Sequence, residues 1–383
     1  MTAMCVANRQ HLPARQVLIG FACLMVALAA AGPGVASADD VAWEAGITAV
    51  AQDADDNRVD TELTASMDLL ITKPGSHGEW LLYIEASSTP DADGVSAVYP
   101  TANADAGSVL NRDGDGGIQV SEFNYTFRLK DDRRLMVGLV NPSAWLDRSD
   151  ITNDENTHFI SGSLKNNTTI EFPDYTLGAI MRWLGSAARP EIVLVIASSD
   201  GIADLPDRSY QDLLNLSSDQ RGIFAGIDAN WRGDRTSLRL GTWLRSDDHA
   251  VAGSTDDFAK NYGVYGVYGW RDGDNAMNFR IGAANEDVSV ATRFAAAAYE
   301  RSTRIGLFGV GIARTRIANS FRQADLDDVT SAEAFLRIAI GDTGAQITPS
   351  VQYVENPGFD TSGATFSSSA LVAGVRFHWS FTP

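Results

Sequence analysis

The chain has 383 residues, and 49 acidic against 30 basic side chains give it a formal net charge of −19. Acidity on this scale argues against a nucleic-acid partner, whose phosphates require a basic surface. There are two cysteines, Cys5 and Cys23, both near the start, so the rest of the chain can form neither a disulfide nor a thiolate metal site.

Residues 1–38 read as a cleaved secretory signal for the Sec pathway, leaving one domain over 39–383. Arg9 and Arg15 precede an apolar run over 17–31, and Ala36, Ser37 and Ala38 make a small-x-small cleavage pattern before Asp39. The run is too short for a spanning helix. Cys23 follows Gly20, Phe21 and Ala22, which suits a lipoprotein signal poorly. Both cysteines leave with the signal, and loss of two arginines and no acids takes the net charge from −19 to −21.

The remainder predicts sixteen strands, at 41–53, 60–73, 78–88, 118–130, 134–141, 175–184, 189–199, 221–232, 235–245, 260–271, 274–286, 290–300, 304–315, 331–341, 344–354 and 369–381. The last is the clearest: Leu371, Ala373, Val375, Phe377, Trp379 and Phe381 share one face, and Gly374, Arg376, His378 and Ser380 the other. Connections alternate between short and long. The short ones, such as 131–133, 233–234 and 272–273, are rich in Gly and Asp. The long ones include 89–117, 142–174, 200–220, 247–259, 316–330 and 355–368. This rhythm predicts an all-β chain closed into a transmembrane antiparallel barrel with an aqueous lumen, long loops outside and short turns on the periplasmic side. A soluble periplasmic β-protein is the plainer alternative. Strands near 260–271 and 304–315 alternate poorly, because glycine occupies both faces.

If the apolar face meets lipid, the opposite face lines the channel. It includes Glu62, Asp68, Glu85, Glu122, Arg128 and Arg182, and later Arg239, Trp243, Arg245, Arg280, Arg337 and Arg376. Early strands are mostly acidic there and late strands mostly arginine, an arrangement that sets up a transverse field. Forked donors opposite carboxylate acceptors suit vicinal hydroxyls, and Trp243 could offer its ring to a sugar. On this reading, replacing Arg239, Arg245 or Arg376 by Ala shifts selectivity more than stability.

The third long loop, 142–174, is expected to fold inward as the constriction. It carries Trp145, Asp147, Asp154, Glu155 and His158, and a loop of its length without packing of its own is uncommon. In the second long loop, Asn111, Asp113, Asp115, Gly117 and Glu122 fall at ligand positions of a twelve-residue calcium loop, with Gly116 at the sharp turn. Val120 onwards alternates as a strand, so the helix that should follow such a loop is missing. Ca2+ is thus one reading and a metal-free acidic turn the other. No G-x-S-x-G or H-E-x-x-H pattern occurs. An enzyme would have to combine Asp147, Asp154 and His158 at one rim, and the expectation is that the chain is not an enzyme.

Several stretches resemble the carbohydrate-selective porin (OprB-type) family. They are Ile118-Gln-Val-Ser-Glu-Phe-Asn-Tyr125, Leu135-Met-Val-Gly-Leu-Val-Asn-Pro142 with Ser143-Ala-Trp-Leu-Asp147, Asn153-Asp-Glu-Asn-Thr-His-Phe159, Phe172-Pro-Asp-Tyr-Thr-Leu-Gly-Ala179 and Thr348-Pro-Ser-Val-Gln-Tyr-Val-Glu-Asn-Pro357. The resemblance implies a sixteen-stranded channel in the Gram-negative outer membrane, passing small saccharides without a required cofactor, surrounded by outer-membrane lipid and assembled as a homotrimer. A general pore, or a calcium-stabilised barrel acting through its surface loops, are the alternatives.

Overall fold

The computed structural model describes residues 41–203, 210–214, 221–254, 256–318, 327–356 and 369–382. The expected signal over 1–38 lies outside them. Sixteen strands form one closed antiparallel barrel, each hydrogen-bonded to the next in sequence, with the last returning to the first. They are β1 (Ala42–Ala54), β2 (Glu62–Gly75), β3 (Gly78–Ser87), β4 (Ile118–Lys130), β5 (Arg133–Val140), β6 (Thr176–Trp183), β7 (Glu191–Ser198), β8 (Ile223–Arg232), β9 (Thr236–Ala250), β10 (Phe258–Asp272), β11 (Asn275–Ala284), β12 (Ala291–Ser302), β13 (Leu307–Ile317), β14 (Val329–Ala339), β15 (Ala345–Glu355) and β16 (Ser369–Phe381).

All sixteen lie where the alternation places them, within a few residues. The largest departure is β9, which runs to Ala250 instead of stopping at 245. Its end keeps pairing, His249 with Ala259 and Ala250 with Phe258. Asp247 and His249 there read as part of a polar loop because their inward side chains are both titratable. At the short-turn end, hairpins close on residues that tolerate a positive φ, such as Gly273 (φ 56°) after Asp272.

The outer face is apolar and exposed. Leu240, Val264, Phe279, Ile281, Ile312, Leu371, Val375 and Trp379 are among the side chains it presents. Such a band is the surface a bilayer covers. No helix among the described residues is long and apolar enough to cross a membrane.

The interior is partly filled. The segment 141–175 between β5 and β6 folds into the barrel, and its apolar side chains form cores against the wall. Leu146 and Ile170 join Phe224, Trp243, Val193 and Val195. Ile151, Phe159 and Leu164 join Phe294, Ala313 and Phe335. Each large side chain so buried contributes roughly 1.5–3 kcal/mol. Inward-facing glycines give these residues sockets. A Cβ on Gly226 would stand 2.4 Å from Leu146, one on Gly282 2.2 Å from Thr169, and one on Gly311 3.0 Å from both Phe159 and Leu164. The poor alternation near 304–315 has this cause in part, since the inner face there makes room for a loop.

Candidate functional site

The third loop is bolted to the wall by side chains of the late strands. The Arg376 guanidinium donates to the carbonyls of Glu155 and His158, the latter at 2.7 Å. Arg337 donates to Thr157 O at 2.6 Å, and Arg280 to Lys165 O at 2.9 Å and Asn153 Oδ1 at 2.8 Å. Glu333 accepts from the backbone N–H of Ile160 and of Ser161. Arg280 also faces Asp147 at 3.4 Å, with both side chains almost fully buried. Burial pushes the Asp147 carboxyl above its usual range, against the opposing pull of Arg280.

These contacts place the expected channel residues differently from a free-standing arginine wall. Arg280 and Arg376 are 1% and 3% exposed and stand behind the loop. Arg239 is engaged by Asp228 at 2.7 Å, and Arg245 by Asp247 and Glu171, both at 2.9 Å. Their work is to hold structure, so the expectation that Ala at 239, 245 or 376 spares stability is revised. Trp243 is 2% exposed and stacks against Phe224, which leaves no ring face for a sugar. Glu62 accepts from Asp91 N, Ser96 N and Ser96 Oγ, securing the second loop rather than lining a passage. Arg128 is exposed near the short-turn end.

Within the constriction loop, Glu155 pairs with Lys165 at 2.6 Å and His158 meets Glu300 at 2.5 Å. Glu155 and other nearby acids keep the Lys165 ammonium above its usual range although burial opposes them. Asp154 is held below its usual range, because hydrogen bonds from Thr157 and the Asn156 N–H outweigh its burial. Asp147, Asp154 and His158 each have separate partners and form no triad. In the second loop, Asn111 Oδ1 accepts from the N–H groups of Asp113 and Asp115. Glu122, by contrast, lies within β4 beside Asn124. With a rise of about 3.3 Å per residue, a strand carries it well away from Asn111. Among the described residues, no group of three or more His, Cys, Asp or Glu side chains is placed to hold a metal.

Part of the open lumen is a cavity of about 1050 Å³. Tyr83 and Glu85 of β3 face it from one side. The third loop faces it with Arg148, Asn153, Glu155, His158 and Lys165, and Glu171, Tyr175 and His249 line its rim. The Tyr83 hydroxyl donates to Asp68 at 2.7 Å and to Glu85 at 3.2 Å, forming an acidic patch. Arg148, Ser149 and Asp150 line both this cavity and a smaller one toward the short-turn end, so this stretch of the loop divides them. The Trp145 ring lies near Arg182, at 4.7 Å, and Arg148, at 5.9 Å. Lys165, Glu171 and Tyr175 were not among the residues chosen from the sequence, whereas Tyr83 and Arg148 were read there as lumen and constriction-loop residues. An apolar set within the loop (Leu146, Ile151, Phe159, Leu164, Ile170) was the available signal that it packs inside, facing some residues to the wall and others to the lumen.

No protein-family model matches the chain, and no curated protein is significantly similar to it in sequence. Solved structures do share its fold. The high-pH structure of OprB from Pseudomonas putida superposes with a TM-score of 0.67 at 12% identity, covering 94% of this chain and 97% of the other. A variant of the Rh. blastica porin gives 0.54 at 14% identity, covering 89% and 100%. A loop-deletion variant of OmpT, an outer membrane protein of Vibrio cholerae, gives 0.52 at 11% identity, covering 90% and 100%. The shared architecture is a closed porin-type β-barrel.

Proposed function

We propose that this chain, exported by a signal over 1–38, is a passive diffusion channel for small carbohydrates across the Gram-negative outer membrane. The observation that carries the reading is a lumen narrowed by an inward loop, with a polar-lined cavity of about 1050 Å³ on one side of it and smaller cavities of about 180 and 540 Å³ toward the short-turn end. A space of that order accommodates small organic solutes. Its walls mix carboxylates (Asp154, Glu155), amides (Asn153, Asn166, Asn167), a guanidinium (Arg148) and phenols (Tyr83, Tyr175). Such a lining replaces the hydration of a polyhydroxylated solute with donors and acceptors on several sides. The reading needs no cofactor and no energy source, and it includes a homotrimer in lipid.

Liposome swelling with the refolded barrel tests it, using glucose, a disaccharide and a charged solute of similar size. With a cation as the charged solute, faster entry of the two sugars is the expected result. Equal entry of all three makes the chain a general pore, and no swelling by a folded barrel refutes the channel. Cross-linking in detergent reports the trimer.

A further inference from the structure

The short-turn end of the lumen is basic, although the whole chain is strongly acidic. A cavity of about 540 Å³ there is lined by Arg148, Arg182, Arg189 and Arg232, with Glu191 as its one carboxylate. A neighbouring cavity of about 180 Å³ shares Arg148, Asn230 and Arg232. The fold creates this cluster by register. On β8, Asp228, Asn230 and Arg232 follow one another on the inner face, while Arg148 arrives from the third loop and Arg182 from β6.

Most nearby charges are already neutralised. Arg182 lies 2.6 Å from Glu191, and Arg239 lies 2.7 Å from Asp228. Arg148 and Arg232 are exposed, and among the described residues neither has an ion pair or a hydrogen bond. Partial desolvation inside the barrel, and after it the like charges of Arg239, Arg182 and Arg232, lower the affinity of Arg148 for a proton. Trp145 holds this guanidinium in place through its ring face. Two unpaired forks beside a solvent-filled space attract an anion, and low-dielectric walls focus the field.

We propose that Arg148 and Arg232, with Arg182 and Asn230 beside them, form an anion site at the short-turn mouth whose ligand class is a small hydroxylated anion, a sugar acid or a sugar phosphate. The forks take the carboxylate or phosphate in bidentate fashion, and the Asn230 amide takes a hydroxyl. This deepens the carbohydrate-channel reading and rests on it, by naming the charge of the preferred solute.

The test is titration calorimetry of the refolded full-length barrel in neutral detergent at low salt. Sodium gluconate, inorganic phosphate and glucose serve as probes, beside reversal potentials in planar bilayers. The expected result is at least tenfold tighter binding of gluconate or phosphate than of glucose, and a chloride-selective current. Arg148→Gln and Arg232→Gln, each checked for folding by heat-modifiable gel mobility, should weaken anion binding at least tenfold and reduce chloride selectivity. Tighter gluconate points to sugar acids and tighter phosphate to phosphate esters, and either supports the site. Equal binding of glucose and gluconate, or folded variants indistinguishable from the parent, overturns it. A barrel that binds gluconate but carries no current refutes the channel reading and leaves the site standing.

Discussion

Replacing Arg280 by Met removes one half of a buried pair and leaves Asp147 uncompensated beneath the third loop. The two groups are 3.4 Å apart, and their side chains are 1% and 2% exposed. At an effective dielectric of about 20, that separation corresponds to roughly 5 kcal/mol of attraction, set against a desolvation cost of several kcal/mol for each ion. Removing one partner typically costs about 3–5 kcal/mol, whereas removing both is close to neutral. The strand ladder does not depend on the pair, so the cost falls on local opening of the loop, by roughly two to four decades in the opening equilibrium. Hydrogen exchange of loop amides reads this directly. The Asn167 N–H, which donates to Asp147, and the N–H groups of Leu164 and Lys165, which donate to Ser161 O, are suitable probes. Arg280→Met should accelerate their exchange by about that factor. Adding Asp147→Asn should restore part of the protection, since Asn tolerates the positive φ of 54° at this position. The share lost with the hydrogen bonds from Arg280 to Lys165 O and Asn153 Oδ1 stays lost. Exchange within about threefold of the parent in Arg280→Met, or no recovery in the double variant, refutes the reasoning.

Other consequences follow from the same packing. Gly282→Val drives a side chain into Thr169 and Asn167, whose atoms lie 2.2 and 2.6 Å from the new Cβ; displacement of the loop should raise single-channel conductance, and an unchanged conductance counts against the socket. Glu62→Ala removes three hydrogen bonds to one buried carboxylate, a local cost of about 3 kcal/mol or more, and limited proteolysis should then cut faster between residues 89 and 117. Burial pushes the Asp105 carboxyl up to about 7 from 3.8, and its Oδ2 has no hydrogen-bond partner. The folded state therefore holds an extra proton between those values, so stability falls as pH rises through that window. Asp105→Asn should flatten this slope and raise the stability at pH 8 by up to about 4 kcal/mol, read as a higher melting temperature in melts across pH 4–8. Chelation by EDTA should leave the melting temperature unchanged, because Glu122 is held in β4 away from Asn111; a calcium-dependent rise contradicts that placement.

Strand positions, the lipid-facing side and the inward third loop were legible in the sequence, because alternation and turn residues report backbone geometry directly. The division of labour among inward side chains was not. Alternation assigns Arg239, Arg280 and Arg376 to the interior but cannot say whether water or a loop covers them. Leu146, Phe159 and Leu164, set against Phe224, Trp243 and Phe335 on a nominally polar face, mark where the interior is packed rather than wet. The glycines at 226, 282 and 311 carry the same message, which is steric and appears only when two distant segments are placed together. The basic cluster at the short-turn end was not legible as a group, because Arg148 comes from the third loop while its neighbours Arg182 and Arg232 come from β6 and β8.

The central claim is that segment 141–175 is the constriction of a water-filled barrel. Single-channel conductance of the refolded protein, measured beside a form in which residues 143–172 are replaced by a short Gly-Ser linker, tests it most directly. A several-fold rise in conductance, with loss of discrimination between glucose and a disaccharide, is the expected result. Equal conductance from two folded barrels contradicts the account.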